Sequence, residues 1–218
     1  MRVIGVSGTG NGSGKTLFIT RVAEAHPGRF GALKFTTVFR DGQFCPKDAQ
    51  KRCACTRLHD EHQVIADEET LSQENTDTGR MIEAGLRPVL WTLARPGSHE
   101  AAYQHVRELL PDDREILAEG NTAQPLLRPD VSVFLYNPCV PLRAWKDNWQ
   151  ELAAGADIVI VNDAPVALGR RRPAGEEEHA AASEAVREAA PTVPRVVARL
   201  EEPLEAWAGP LLEELIVG

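Results

Sequence analysis

Short apolar runs alternate along this chain with longer stretches in which apolar residues return every third or fourth position. The runs cover residues 3–7, 30–35, 88–93, 115–119, 131–136, 157–162 and 195–199. Runs that are apolar on nearly every position read as strands covered on both faces, and the helical stretches between them read as the crossovers a parallel sheet requires. Residues 17–25 form the first such stretch. Residues 101–110 place Val106, Leu109 and Leu110 on one face, and residues 142–154 space Trp145, Trp149 and Leu152 at helical intervals, which predicts core positions for both tryptophans. From Pro203 onward, Leu204, Trp207, Ala208, Leu211, Leu212 and Leu215 form a further stripe that should close the sheet. The expected fold is α/β, a three-layer, mostly parallel sheet of about seven strands with helices on both faces. Two segments break the alternation and read as loops. One is a cysteine-bearing insertion at about 37–62, and the other runs from 164 to 178 and carries Arg170 to Arg172 and Glu176 to Glu178, read as a solvated charge run.

Length and charge narrow the picture. A chain of 218 residues fills one core and is short for two, so residues 1–218 read as a single domain. A formal net charge of -8 and a pI near 5.3 argue against a nucleic-acid partner, which needs a basic stripe. The apolar run at residues 3–6 is far too short to cross a membrane, so no membrane partner and a cytoplasmic location are expected. Four cysteines are too few for a disulfide scaffold at this length and should stay reduced there; Cys139, between Pro138 and Val140, reads as a buried small hydrophobe.

Candidate chemistry begins where the first strand ends. Gly8-Thr9-Gly10-Asn11-Gly12-Ser13-Gly14-Lys15-Thr16 separates an apolar run from a helical stretch starting at Leu17. Strand, glycine-rich turn and helix in that order cradle a polyphosphate: glycines let backbone N–H groups turn inward at a helix N-terminus. Gly12, Ser13, Gly14, Lys15, Thr16 and Leu17 are therefore candidate nucleotide-binding residues. Lys15 would reach the outer phosphates, and the Thr16 hydroxyl would complete the shell of a Mg2+ ion. Thr9 stands where the usual pattern begins with glycine, but the Gly-Lys-Thr end is intact. A second element should lie at the carboxyl end of a neighbouring strand. Glu119, followed by Gly120, fits as a second magnesium-directed group or as a group that polarises an attacking atom.

Lys34 closing the second strand, the pair Glu119-Gly120, and Asn162 ending residues 157–162 together resemble the signal-recognition, MinD and BioD class of P-loop NTPases. Within that class, Lys34-Phe35-Thr36, Asp77-Thr78-Gly79-Arg80 before Ala84-Gly85, and Ala118-Glu119-Gly120 resemble the molybdopterin-guanine-dinucleotide biosynthesis protein B family. The loop Gly8-Thr9-x-x-Gly12-x-Gly14-Lys15-Thr16 is also similar to that of dethiobiotin synthetase. The resemblance implies a Mg-dependent NTPase using ATP or GTP, with Lys15, Lys34 and Glu119 catalytic. Its role would be that of an accessory factor in cofactor or metal handling with a client protein, or alternatively of a small-molecule kinase or ligase; a homodimer is expected. Two departures stand out. The insertion at 37–62 is long for the family, and Asn121-Thr122 replaces its phenylalanine-lysine pair. Gly10 stands where the dimerising subclass has a further lysine, so an intersubunit charge mechanism is not expected.

Asn162 is a candidate base reader, with a structural cap as the alternative. The following Asp163-Ala164-Pro165 lacks the lysine and aspartate that specify guanine, which inclines the reading towards ATP. In the insertion, Cys45, Cys53 and Cys55 with His59 are spaced to hold Zn2+ or iron, with three reduced loop thiols as the alternative. Asp41 and Asp48 in the same loop are candidate water-positioning acids.

Overall fold

The computed structural model describes residues 1–39, 58–163 and 175–218. Its strands are β1 (Val3–Gly8), β2 (Phe30–Thr37), β3 (His62–Ile65), β4 (Val89–Ala94), β5 (Glu115–Glu119), β6 (Val131–Tyr136), β7 (Ile158–Asn162) and β8 (Arg195–Ala198). They form one sheet in the order β3-β4-β2-β5-β1-β6-β7-β8. Every pairing is parallel except that of β3 with β4, which is antiparallel. Among the described residues the sheet thus has eight strands where about seven were expected, and β3 is the added one. Its His62-Gln63-Val64-Ile65 has little apolar pattern because it is an edge strand, with only Ile65 buried.

Alternation along the inner strands sends successive side chains to opposite faces, and each face carries its own helices. On one face, Ile4, Val6, Ala32, Val133 and Leu135 pack against Phe18, Ile19 and Val22 of α1 (Lys15–Ala25) and Met81 of α3 (Asp77–Glu83), which follows a single turn, α2 (Glu68–Leu71). Leu212 and Ile216 of the C-terminal α8 (Pro210–Val217) complete that layer. On the other face, Leu33, Phe35, Ile116 and Ala118 meet Ala102 and Val106 of α4 (His99–Leu109) and Leu127 of the short α5 (Gln124–Leu127). Further along that face, Phe134 and Val159 meet Ala153 of α6 (Trp149–Ala154) and Ala182 and Val186 of α7 (Glu176–Ala189). The result is helix, sheet, helix.

Several helical expectations need correction. Leu109 is 44% exposed, so Val106 and Leu110 face the core without it. Residues 142–154 are not one helix: a 3-10 turn (Leu142–Ala144) and α6 flank an extended Trp145, and the Lys146 N–H that follows donates to Thr9 O of the glycine-rich loop instead of to a helical partner. The C-terminal stripe also breaks, into a 3-10 turn (Leu204–Ala206) and α8, at Gly209-Pro210; Ile216 is buried and Leu211 is exposed. Glu176 to Glu178 open α7, where their charge suits the helix N-terminus. Cys139 is only partly buried, and the buried neighbour is Val140. No helix among the described residues is long and apolar enough to cross a membrane.

Gly5, in the middle of β1, shows how tightly the layers close. A Cβ there would fall 2.0 Å from Gln124 Oε1 of α5 and 2.8 Å from Pro129 Cγ. Gln124 is itself buried, and its Nε2 donates to Gly120 O at 3.2 Å. We therefore expect Gly5→Val to cost about 1–3 kcal/mol of stability, read from the urea midpoint, with Gly5→Ala intermediate.

Candidate functional site

The parallel register sets the end of β5 between β1 and β2, which run on past it by two and three residues, to Gly8 and Thr37. Glu119 pairs in register with Val6 of β1 on one side and with Lys34 of β2 on the other. The carboxyl edge of an open α/β sheet is where ligands bind. Here that edge carries a buried carboxylate beside a lysine, directly under the loop between β1 and α1.

That loop is pinned at several points. Thr9 N donates to Leu135 O at 3.0 Å, and the buried Ser13 hydroxyl donates to Gly10 O at 3.0 Å. Asn121 clamps the end of β1 from both sides: its Oδ1 accepts from Gly8 N at 3.1 Å and its Nδ2 donates to Gly8 O at 2.7 Å. Gly14 adopts φ 100°, a left-handed conformation open to glycine, and caps α1. A Cβ on Gly14 would lie 2.6 Å from Asn162 Nδ2 and 2.7 Å from Leu200 Cδ1. Lys15 Nζ folds back to donate to Gly10 O at 2.7 Å and to Ser13 Oγ at 3.1 Å.

Below the loop lies a chain of charges. The Thr16 hydroxyl donates to Glu119 Oε2 at 2.8 Å, while Glu119 Oε1 accepts from Lys34 Nζ at 2.9 Å. Lys34 Nζ also donates to Asp77 Oδ2, at 2.6 Å, in the first turn of α3. Lys146, between Trp145 and α6, donates its backbone N–H to Thr9 O at 2.8 Å.

These groups shape one another's protonation. Burial holds the Lys15 ammonium down at a pKa of about 8, against the pull of Glu119 and with Lys34 and Lys146 adding repulsion. Burial works the same way on Lys34, but Glu119 and Asp77 outweigh it and raise its pKa above the ordinary lysine value. Asp77 is lowered: the charge of Lys34 and its hydrogen bond overcome the opposing effect of burial. Lys146 is lowered by desolvation and by Lys34, against Glu119. Lys15, Lys34 and Lys146 set against Glu119 and Asp77 leave one positive charge, in a chain whose net charge is -8. An edge built this way favours anions.

Of the candidate residues read from the sequence, Gly12, Ser13, Gly14, Lys15, Thr16 and Leu17 lie together in the loop and the first turn of α1, with Glu119 and Lys34 beneath them. Asn162 is 3% exposed and sits behind Gly14, with Nδ2 3.5 Å from Ser13 O. His59 is exposed on the approach to β3. Cys45, Cys53, Cys55, Asp41 and Asp48 lie outside the described residues, and among the described residues no three His, Cys, Asp or Glu side chains converge as a metal group.

Three members of this edge escaped the candidate list. Asp77 stood only in a motif of the resemblance, and Asn121 only as a departure from it. Lys146 carries no local signal. Its position follows from topology, since β6 lies beside β1 and the loop leaving β6 must meet the loop leaving β1. The chain matches no protein-family model, and no curated protein matches it.

Lys34 neutralises a Glu119 side chain that is only 8% exposed, so removing it strands a buried charge. We expect Lys34→Met to lose about 3 kcal/mol at pH 7 by chemical denaturation. The depressed Asp77 contributes stability above the ordinary aspartate value of 3.8, lost as pH falls; the raised Lys34 contributes below the ordinary lysine value of 10.5, lost above its own pKa. The deficit should therefore be full between those values and narrow in acid below pH 3.8.

Proposed function

We propose that this protein is a Mg-dependent nucleoside-triphosphate-binding P-loop NTPase. The observation that carries the reading is the closure of Lys15 over its own loop, 2.7 Å from Gly10 O, directly above the Thr16–Glu119–Lys34 chain. An ammonium desolvated in this way, with only a backbone carbonyl and a hydroxyl for partners, gains most from an arriving phosphate. Positive-φ Gly10, Gly12 and Gly14 ahead of α1 give the backbone the freedom that close approach of a polyphosphate demands.

The donors around Thr16 suit a hard cation. Glu119 Oε1 is occupied by Lys34, whereas Oε2 faces the Thr16 hydroxyl, and both are oxygen ligands of the kind magnesium takes. Magnesium held at Thr16 and Glu119 would neutralise charge on the outer phosphates. The chain's own residues do the rest. Loop amides and Lys15 bind the phosphates, Lys34 holds Glu119 in place, and Asp77 fixes Lys34 from the other side. Phosphoryl transfer asks for positioning and charge neutralisation and little covalent help from the protein, which is what this arrangement offers.

The resemblance to the molybdopterin-guanine-dinucleotide protein B family supports an accessory role in cofactor or metal handling, with a client protein. One observation favours the second reading, a small-molecule kinase or ligase. Thr37 Oγ1 lies 3.1 Å from His99 Nε2 and 3.0 Å from Thr122 Oγ1, a polar group at the same sheet edge where an acceptor would sit. Turnover that rises with a protein partner and stays slow in metabolite mixtures supports the first.

Isothermal titration of Mg-ATP and Mg-GTP tests the common core. Lys15→Ala should weaken binding on the order of a hundredfold while the unliganded melting temperature holds. In the wild type, affinity should be flat near neutral pH and fall above pH 8, because Lys15 has a pKa of about 8 when free and is held charged when phosphate is bound. Unchanged affinity of Lys15→Ala for both nucleotides contradicts the reading.

A further inference from the structure

Above the glycine-rich loop, on the side away from Lys34, stands a second lysine that the proposed phosphate contacts do not use. Lys146 lies in Trp145-Lys146-Asp147-Asn148-Trp149, the stretch that breaks the expected helix. Its backbone is fixed at both ends. Trp145 is buried, its Nε1 donates to Val140 O at 2.8 Å, and its ring meets Trp149 edge-on at 4.9 Å. The Lys146 N–H donates to Thr9 O, and Lys146 O accepts from Trp149 N at 3.2 Å. Lys146 is exposed, and its side chain starts out beside the loop, with Cγ 3.8 Å from where a Cβ on Gly10 would sit. It is close enough to Glu119 and Lys34 to feel both charges, and Lys15 feels it in turn.

Gly10 holds φ 150° and has no side chain, so this part of the loop cannot bring a cation of its own. The loop's one cation is Lys15, from the first turn of α1. Charge that develops on the transferring phosphoryl group during the reaction calls for another, and a donor already in place costs no reorganisation at that moment.

Resting on the nucleotide reading above, we infer that Lys146 supplies, from within the same chain, the second cation at the transferring phosphoryl group. In hydrolysis, water oxygen forms a bond to the γ-phosphorus and the bridging P–O bond breaks, its electron pair leaving on the nucleoside diphosphate. Of the water's two protons, one stays on the inorganic phosphate as its hydroxyl and the other is released to solvent. Lys146 meets charge on the oxygens of the phosphoryl group in flight and takes no part in the proton's movement. The tryptophan anchors set its approach, so it belongs to the site without help from a second copy.

The test uses full-length wild type, Lys146→Ala, Lys146→Arg and Lys15→Ala with Mg-ATP and Mg-GTP. Three quantities are measured: Kd for each nucleotide, kcat, and the gain in affinity of the diphosphate when aluminium fluoride is added as a transition-state mimic. Lys146→Ala should keep the triphosphate Kd within about threefold and the melting temperature unchanged, yet lose on the order of tenfold or more in kcat and in the aluminium-fluoride gain. Lys146→Arg should recover part of both. An unchanged aluminium-fluoride gain in Lys146→Ala, in a wild type that binds nucleotide, overturns the inference and leaves the nucleotide reading standing. A loss confined to triphosphate Kd overturns it as well, because the contact is then made equally in the ground state. If the wild type binds neither nucleotide, both fall together, and Lys15→Ala then matches wild type.

Discussion

Glu119 can be buried at the end of β5 because Lys34 stands beside it. The two residues are partners in the parallel register of β2 and β5, so the ion pair is a consequence of strand order. A carboxylate 8% exposed would otherwise carry a desolvation cost of several kcal/mol. With Lys34 in place, one oxygen is neutralised and the other is left facing the Thr16 hydroxyl. Everything at this edge follows from that division: Asp77 is drawn to the same lysine from α3, Thr16 is oriented, and Lys15 is left without a carboxylate of its own and settles on Gly10 O.

The loop above it is held by the fold and not by its own sequence. Asn121 grips Gly8, Leu135 O accepts from Thr9 N, and Asn162 closes behind Gly14. These residues come from the ends of β5, β6 and β7, so four neighbouring strands must be in register before the loop has its shape. That gives a physical reason for the buried polar residues at this edge: Ser13, Asn121 and Asn162 each sit within a few per cent of full burial. Buried amides and hydroxyls are tolerated when their partners are fixed, and fixed partners make a rigid cradle.

Much of this was legible in the sequence, for identifiable reasons. The central strands are apolar on both faces, so β1, β2, β5, β6 and β7 announce themselves, and the glycine-rich turn fixes where β1 gives way to α1. Glu119 was readable as a polar residue ending an apolar run. Lys34, which does not close β2 since that strand continues to Thr37, was readable only through the resemblance. The edge strand β3 was not, because a strand covered on one side carries too few apolar positions. Helix α7 was hidden for a related reason: its buried residues are only Ala182 and Val186, and its opening glutamates look like a loop. Lys146 and Asn121 were beyond reach of any local pattern. Each is set by which strand lies next to β1, a long-range fact that no window of sequence contains. Asn162 stood out in the sequence as a strand end, and the structure places it buried against the loop.

On the proposed function, the loop from Gly8 to Thr16 would receive the phosphates of a nucleoside triphosphate, with magnesium on Thr16 and Glu119. A crystal structure with magnesium and a non-hydrolysable ATP or GTP analogue tests it most directly. The account predicts the outer phosphates against the backbone N–H groups of residues 12–16, and Lys15 Nζ withdrawn from Gly10 O to the phosphates. An analogue bound elsewhere on the protein, with Lys15 still on Gly10 O, would contradict it.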